Sequence, residues 1–199
     1  EINEWHGKFI SEELVDFTRR LFPLSAKRED TALAGISIGA YTALINGLLR
    51  PDRFGSIIIL SGAFMRDRVL EAVESRSPRK RKYYERFFGD IDTVLGSDKD
   101  YVALIDKFKQ DPELPKPRFY AACGLHDSLC QNNRDLVKLL RDADFDVTYW
   151  EPDIGAHEWP FWNAWIDCAL DWYAPGPMRP SSVDVDYSAL TKLRPPEQQ

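Results

Sequence analysis

Apolar and polar positions follow two periods along this chain, which predict helices separated by short strands with almost no charge. Apolar residues spaced three or four positions apart predict helices over residues 11–22, 38–50, 132–143 and 159–172. Short apolar runs predict strands over residues 31–34, 56–60, 118–123 and 146–150. Strands separated by helices of about 10–15 residues are typical of crossover connections, so the pattern predicts an α/β fold with a mostly parallel sheet flanked by helices.

The first predicted helix has recognisable start and stop signals. Ser11 is interpreted as its N-cap, with acidic residues in the first turn and basic residues in the last. Pro23 follows directly, and proline cannot continue a helix. Leu14, Phe17 and Leu21 fall on one side, which gives this helix an apolar face.

The regular alternation pauses between residues 65 and 112, a segment with many charged residues. Helical patterns are visible over 66–73 and 80–88, and no strand is predicted there. We expect this insertion to form a cap over the functional site, since such connections commonly carry specificity. Residues 1–173 are predicted to form one domain. Residues 174–199, with five prolines and no sustained periodicity, are predicted to be a Pro-rich C-terminal tail.

The composition is that of one ordinary globular domain. Its 26 basic and 32 acidic residues among 199 give a net charge of −6, so no nucleic-acid partner is predicted. The basic run at residues 76–82 is interpreted as a solvated helix start, with a nucleic-acid patch as the alternative. No apolar run approaches the ~20 residues that span a bilayer, and no secretion signal is visible, so no membrane partner is predicted.

The chain has three cysteines, Cys123, Cys130 and Cys168, an odd number without the spacing of a metal site. This argues against a disulfide framework and favours a reducing compartment. We therefore expect a cytoplasmic location and no bound metal.

A G-x-S-x-G pentapeptide, Gly35-Ile36-Ser37-Ile38-Gly39, lies between a predicted strand and a predicted helix. That context is what a nucleophile elbow requires, a turn so tight that glycine is expected two residues on either side of the serine. The turn would lift the Ser37 hydroxyl above the carboxyl end of the sheet. The Ile38 N–H would then become an oxyanion donor.

A serine hydroxyl needs a base, and the chain has only three histidines, His6, His126 and His157. In a sheet of this kind the partners follow in the order serine, acid, histidine, each after a later strand. His157 follows the last predicted strand, and Asp127 follows the strand before it. We therefore predict that Ser37 is the nucleophile, Asp127 the orienting acid and His157 the base.

Other assignments of these side chains stay open. His157 could simply cap the last helix, and His126 is a competing histidine that precedes the acid on the same loop. Asp153 is a rival acid, although it precedes His157 on one loop and would orient the far ring nitrogen with difficulty. Three aromatic residues after the histidine could line an acyl or alcohol pocket, or could pack the core: Trp159, Phe161 and Trp162.

Six stretches carry a family resemblance: FISEELVDFTRRLFP, TALAGISIGAYTAL, RPDRFGSIIILSGAF, YYERFFGDIDTVLGSDKD, CGLHDSLCQNN and GAHEWPFWNAWIDCALDW. With them, from Trp5 to about Tyr173, the chain resembles the putative-esterase family of α/β-hydrolases. That family includes esterase D, tributyrin esterases, and feruloyl and acetyl-xylan esterases, and the tributyrin type is the most similar. The resemblance carries the nucleophile to Ser37, the acid to Asp127 and the base to His157.

The resemblance implies a carboxylic ester hydrolase with no metal and no cofactor. Its partner would be a small-molecule ester with a short acyl or acetyl group, with carbohydrate and aryl esters among the candidates. A thioesterase of the S-formylglutathione hydrolase type and an acyltransferase would use the same triad. From a different functional class, a non-catalytic binding module with the hydrolase fold is the alternative.

Two departures from the family pattern lead to further expectations. Ala40 stands where the family usually has glycine. Members also carry several strands before the FISEEL helix, including one followed by a His-Gly loop that supplies the second oxyanion donor. The pair His6-Gly7 abuts the helix and does not match that loop. We therefore expect that the first three or four strands of the usual domain are lacking. Either a companion N-terminal segment or a homo-oligomer covers the apolar sheet edge, or the chain is a fragment.

Overall fold

A parallel sheet of four strands organises the part of the chain that this computed structural model describes, residues 6–75 and 77–174. The strands are β1 (Ala32–Ile36), β2 (Ser56–Leu60), β3 (Arg118–Ala122) and β4 (Val147–Trp150), in the spatial order β1-β2-β3-β4. All three neighbouring pairs are parallel. The predicted α/β fold with a mostly parallel, helix-flanked sheet is confirmed.

Seven α-helices connect and flank these strands. They are α1 (Leu14–Leu21), α2 (Ile38–Leu49), α3 (Arg66–Glu74), α4 (Pro78–Phe88), α5 (Tyr101–Gln110), α6 (Cys130–Arg141) and α7 (Trp159–Tyr173). The pattern of apolar positions predicted all of them except α5. That helix begins at Asp100, whose carboxylate accepts a hydrogen bond from the Val102 N–H at 3.0 Å.

The register of the sheet brings its carboxyl ends into line. Ile36 pairs with Leu60, Leu60 with Ala122, and Ala122 with Trp150. These are the last residues of the four strands, so the loops that follow them all leave from the same edge of the sheet. This edge is where ligands bind in open α/β sheets.

The two faces of the sheet are covered differently. On one face α2, α5 and α6 bury a large aliphatic cluster against Ile57, Ile59 and Phe119. On the other face α7 is the one described helix that packs its aromatic residues against alternate positions of the same strands, Ile58, Leu60 and Tyr120 among them. Strands buried on both faces explain why the sequence of β2, SIIIL, is continuously apolar.

The predicted insertion over residues 65–112 divides into two parts. Helices α3 and α4 pack around a small cluster of their own, which includes Val69, Phe88 and Ile91 and touches α2 through Tyr41. Helix α5 instead belongs to the main core, where Leu104 and Ile105 are buried. Only α3, α4 and the turn after them therefore form a separate layer.

The N-terminal helical region corrects one prediction. Ser11 is not an N-cap, because the chain is already helical before it and forms a π-helical turn over Phe9–Glu13. The Ser11 hydroxyl donates to the Gly7 carbonyl at 2.8 Å, a bond made inside the helix. The apolar face of α1 is exposed, with Phe17 at 52% and Leu21 at 58%.

The predicted C-terminal tail and the predicted lack of a membrane span have different outcomes. The Pro-rich tail predicted over residues 174–199 lies outside the described residues apart from Ala174. Among the helices that the structure describes, none is both long and apolar enough to span a bilayer.

Candidate active site

The chain reverses sharply at Ser37, between β1 and α2. Ser37 has φ 55° and ψ −120°, a conformation that costs free energy for any residue with a side chain. A Cβ on Gly35 would lie 2.1 Å from the Gly39 carbonyl oxygen, so only glycine fits there. At Gly39 the prediction was wrong, since a Cβ would meet nothing within 4 Å in the described chain.

Backbone hydrogen bonds fix this turn to the neighbouring strand. The Ser37 N–H donates to the Leu60 carbonyl at 2.9 Å, which extends the ladder between β1 and β2 by one residue. The Ser37 carbonyl accepts from the N–H groups of Ala63, at 3.0 Å, and Ala40, at 3.1 Å. These bonds offset the unfavourable backbone conformation and aim the hydroxyl outward from the sheet edge.

Ser37, His157 and Asp127 form a continuous chain of hydrogen bonds across three loops. His157 Nε2 lies 3.0 Å from Ser37 Oγ, although these residues are 120 positions apart in sequence. His157 Nδ1 lies 2.9 Å from Asp127 Oδ2. The second carboxylate oxygen of Asp127 accepts from the Leu129 N–H at 2.8 Å. Asp127 is only 4% exposed, so both of its oxygens have partners in a site that excludes most water.

Two glycines join the loop that carries Asp127 to the loop that carries His157. A Cβ on Gly124 would lie 2.2 Å from the Gly155 carbonyl oxygen, so the two backbones touch. The Gly155 carbonyl accepts from the His126 N–H at 3.2 Å, and the Leu125 N–H donates to the Pro152 carbonyl at 2.9 Å. Gly155 has φ 101°, where a side chain would also strain the backbone. Sequence analysis missed this contact because it depends on how closely two distant loops approach.

A second contact fastens the same loops from outside. The carboxylate of Glu151, directly after β4, accepts hydrogen bonds from Arg134 Nε at 2.7 Å and from the Tyr149 hydroxyl at 2.9 Å. It also lies 3.4 Å from the Cys130 thiol. The hydrogen bond from Arg134 is the main reason that the pKa of Glu151 falls to about 2.

The Ile38 N–H is placed as the first donor of a helix. It belongs to the first residue of α2, so it has no carbonyl one turn earlier to bind, and no partner is recorded for it among the described residues. The Ile38 side chain is exposed beside it. An N–H in this position can donate to an anion that forms next to Ser37 Oγ.

The three aromatic residues after His157 have different surroundings. Trp159 is 66% exposed, whereas Phe161 is buried and packs against Trp165. Trp162 is 8% exposed, and its ring meets the His157 ring edge to face with the centroids 4.9 Å apart. Of the three, Trp159 has the most surface that a ligand could touch.

The alternative site residues lie apart from the hydrogen-bonded chain. The side chains of His126 and Asp153 are exposed, and among the described residues neither forms a hydrogen bond with Ser37 or His157. His6 and Gly7 lie in the helical turn before α1.

A surface cleft of about 310 Å³ opens beside the acid loop. Its walls come from the start of α3, with Asp67 and Arg68, and from the start of α6, with Asn132. Ala63, which binds the Ser37 carbonyl, and Ser128, which follows Asp127, also line it. The first helix of the predicted insertion thus forms one wall of a cleft beside the loop that carries Asp127.

Comparison with known proteins gives a consistent set of relatives. Residues 2–172 match the model of the family described as "Putative esterase". An acetyl esterase from Caldicellulosiruptor saccharolyticus is 41% identical over 174 residues, which cover 86% of this chain and 65% of that protein.

Two solved structures from Staphylococcus aureus share the fold at 27% sequence identity each. The fluorophosphonate-binding serine hydrolase FphF has a TM-score of 0.67 over 82% of this chain and 62% of its own. The S-formylglutathione hydrolase FrmB has a TM-score of 0.66 over 81% of this chain and 61% of its own. The chain therefore spans less than two thirds of the length of each of these three relatives.

Proposed function

This chain belongs to the putative esterase family, and from that premise we propose that it is a serine esterase that cleaves short-chain acyl or acetyl esters through an acyl-enzyme. The observation that carries the proposal is the unbroken hydrogen-bond chain from Ser37 Oγ through His157 to Asp127, with links of 3.0 Å and 2.9 Å. A hydroxyl, an imidazole and a buried carboxylate in this order are the groups that acyl transfer needs.

In the first half of the reaction Ser37 Oγ attacks the ester carbonyl carbon while His157 Nε2 removes its proton. Asp127 holds the Nδ1–H tautomer of the imidazole and stabilises the imidazolium that forms. The negative charge that develops on the substrate oxygen is stabilised by the Ile38 N–H at the start of α2. The C–O bond then breaks, and His157 returns the proton to the leaving alcohol.

In the second half water takes the place of the alcohol. His157 removes a proton from the water as it attacks the acyl-enzyme, and the Ile38 N–H again faces the oxyanion. Collapse of this intermediate releases the acid, and the proton on His157 returns to Ser37 Oγ. None of these reaction steps needs a metal or a cofactor.

The substrate class rests on the acetyl esterase relative and on the surface next to Ser37. Exposed Trp159 offers an aromatic surface of the kind that stacks on sugars and aryl groups, and the polar side chains in the cleft beside the acid loop offer hydrogen-bonding groups for an alcohol. We therefore propose acetyl esters of carbohydrate or aryl alcohols as the first compounds to assay. In this view α3 and α4 are the cap that limits substrate size.

Labelling with a fluorophosphonate probe tests the nucleophile. We expect one adduct, mapped by mass spectrometry to Ser37, and no adduct in the Ser37→Ala variant. Ser25→Ala, at an exposed serine between α1 and β1, is the matched control and should label like the unmodified chain. Labelling of Ser37 only in a longer chain that carries the upstream strands would show that the site is assembled across that segment. Absence of labelling in both forms would exclude the esterase and leave a non-catalytic binding module as the function.

A thioesterase of the S-formylglutathione hydrolase type is the second candidate, favoured by the likeness to FrmB at 27% identity. The two activities share Ser37 and differ in the leaving group. Matched acetyl and formyl oxygen esters and thioesters of the same alcohol or thiol should separate them. A kcat/KM for thioesters that exceeds the value for oxygen esters tenfold would favour the thioesterase. Transfer to an added alcohol that outruns hydrolysis would identify an acyltransferase.

We also propose that the protein works in a reducing compartment such as the cytoplasm. Among the described residues, no two of the three cysteines form a disulfide. Burial raises the pKa of both the Cys123 and the Cys130 thiol, so they stay protonated and react slowly with oxidants. Fractionation of the producing cell, followed by blotting, would test this location.

A further inference from the structure

We propose that Trp162, held in place by Ser61, is a positioning residue that keeps the His157 imidazole aligned during the reaction. The inference rests on the proposed function only for the role of His157, since the contacts themselves belong to the structure. It assigns to Trp162 a task beyond the two that the sequence left open, which are lining an acyl or alcohol pocket and packing the core.

Beyond its hydrogen bonds with Ser37 and Asp127, the imidazole is in contact with the Trp162 ring. Both ring nitrogens are occupied by those bonds, at 3.0 Å and 2.9 Å. The Trp162 ring meets the imidazole at an interplanar angle of 87°, with the centroids 4.9 Å apart. This edge-to-face arrangement is the favoured geometry of an aromatic pair, and it limits tilting of the imidazole plane.

The support matters most after Ser37 has been acylated. The Ser37 oxygen then carries the acyl group and no longer donates to Nε2. A single hydrogen bond to Asp127 restrains the ring less, so that it can tilt by rotation about its Cα–Cβ and Cβ–Cγ bonds. Contact with Trp162 restricts this rotation, so that Nε2 continues to face the attacking water.

Ser61 in turn fixes the orientation of Trp162. The indole Nε1–H donates to the Ser61 hydroxyl at 3.0 Å, and Ser61 is fully buried. Ser61 has φ 47°, which is uncommon for a residue other than glycine. Its N–H donates to the Ala122 carbonyl at 2.8 Å, so the serine is anchored between the ends of β2 and β3. A strained, buried hydroxyl aimed at an indole is more than apolar packing requires.

Helix α7 contains a matched control for this contact. Trp172 Nε1 donates to the Thr148 hydroxyl at 3.1 Å, again from helix to strand. Its ring packs against Tyr120 and lies far along α7 from His157. Removal of this second contact should perturb packing to a similar extent without any effect on the imidazole.

The experiment compares Trp162→Phe and Ser61→Ala with Trp172→Phe and Thr148→Val in the full chain. For hydrolysis of p-nitrophenyl acetate we expect kcat to fall about tenfold in the first pair, with KM changed by less than about threefold. The second pair should keep kcat within about twofold, with a similar loss in thermal midpoint. Equal losses of kcat in both pairs, or no loss in the first, would overturn the proposal.

A readout independent of catalysis separates this inference from the proposed function. The downfield proton NMR signal of the His157 Nδ1–H, bound to Asp127, should be sharp in the unmodified chain and in the control pair. It should broaden or disappear in Trp162→Phe and Ser61→Ala. A sharp signal in those variants overturns the positioning role, whether or not Ser37 reacts with a fluorophosphonate.

Ser61→Gly guards against a variant that fails to fold. It removes the hydroxyl, as Ser61→Ala does, but it also relieves the unfavourable φ of 47°. We expect its thermal midpoint to exceed that of Ser61→Ala, while its kcat is just as low. Recovery of kcat in Ser61→Gly would show that the hydroxyl has no positioning role.

Discussion

Helices α6 and α1 are both amphipathic, but the molecule holds them in different ways. Leu136 and Leu140 of α6 are buried in the main core against the sheet. Phe17 and Leu21, which have equivalent places on the apolar face of α1, are more than half exposed. A stripe of apolar residues thus predicts a helix equally well in both cases, but it does not predict whether the described chain covers that stripe.

The polar contacts of the two helices also differ in burial, since those of α6 are buried and the ion pair of α1 is partly exposed. The buried Asn133 side chain of α6 binds both the N–H and the carbonyl of Gly62, at 2.9 Å and 3.0 Å. Helix α1 is attached at its polar side by an ion pair between Asp16 and Arg53. Because α6 begins at the acid loop, its anchoring also stabilises the position of Asp127.

Truncation of one leucine on each helix would test this contrast most strongly. Leu140→Ala should lower the free energy of unfolding by about 2–5 kcal/mol, since it opens a cavity in the core. Leu21→Ala, on the exposed face of α1, should change it by less than about 0.5 kcal/mol. Both values can be measured by urea denaturation. A cost above 1 kcal/mol for Leu21→Ala would contradict the contrast and indicate that α1 is covered in solution.

Gly124→Ala would break the contact between the acid and histidine loops. The new methyl group would lie 2.2 Å from the Gly155 carbonyl oxygen, so the loops must separate. We expect a loss of about 1–3 kcal/mol in the free energy of unfolding. Esterase activity should fall about 100-fold, because the loop shift moves His157 away from Asp127. Retention of activity would show that the two loops are positioned by other contacts.

Glu151→Gln and Asp16→Asn compare the ion pairs that fasten α6 and α1. The pKa of Glu151 is depressed to about 2, so its pairing stabilises the fold above pH 4.5, and this stabilisation disappears as the pH falls toward 2. At pH 7 we expect Glu151→Gln to cost about 0.2–1 kcal/mol, because water still screens part of the pair.

The difference between Glu151→Gln and the unmodified chain should shrink as the pH approaches 2. The pKa of Asp16 is also lowered, chiefly by its hydrogen bond from Arg53, but this pair is exposed, so Asp16→Asn should have a smaller effect. Thermal midpoints recorded between pH 2 and 7 would measure both. If the difference in thermal midpoint between Glu151→Gln and the unmodified chain did not change with pH, the lowered pKa of Glu151 would be contradicted.

Gly39→Ala should produce the smallest effect, and one of opposite sign. Gly39 lies in the first turn of α2, where a Cβ would meet nothing in the described chain. Alanine in a helix is favoured over glycine by about 0.5–1 kcal/mol, so the thermal midpoint should rise slightly. A decrease would indicate that this position is covered in solution.

The sequence predicted the sheet well because its strands are short apolar runs bounded by charge and turns. It missed α5, although Tyr101, Leu104, Ile105 and Phe108 have the i, i+3, i+4, i+7 spacing of an amphipathic helix, a signal that could have identified it. It also misread Ser11, because capping residues resemble residues inside a helix until the start of that helix is known.

The three predicted site residues could be chosen because chain order and strand ends determine which loops share an edge. The structure brings Ser37, Asp127 and His157 within hydrogen-bond distance, and their catalytic roles remain predictions. The supporting contacts could not be predicted. The approach of Gly124 to Gly155 and the bond from Trp162 to Ser61 depend on the packing of loops and helices that are distant in sequence.

Pairing between β2 and β3 determines when Ser37 and Asp127 can meet as the chain folds. Ser56 pairs with Arg118, so α3, α4 and α5 all lie inside the loop that this pairing closes. Parallel pairing over such a distance is slow, because chain entropy is lost before the new contacts compensate for it. During refolding, helical structure should therefore return before Ser37 becomes reactive toward a fluorophosphonate. The labelling reaction would then report the last long-range step of folding.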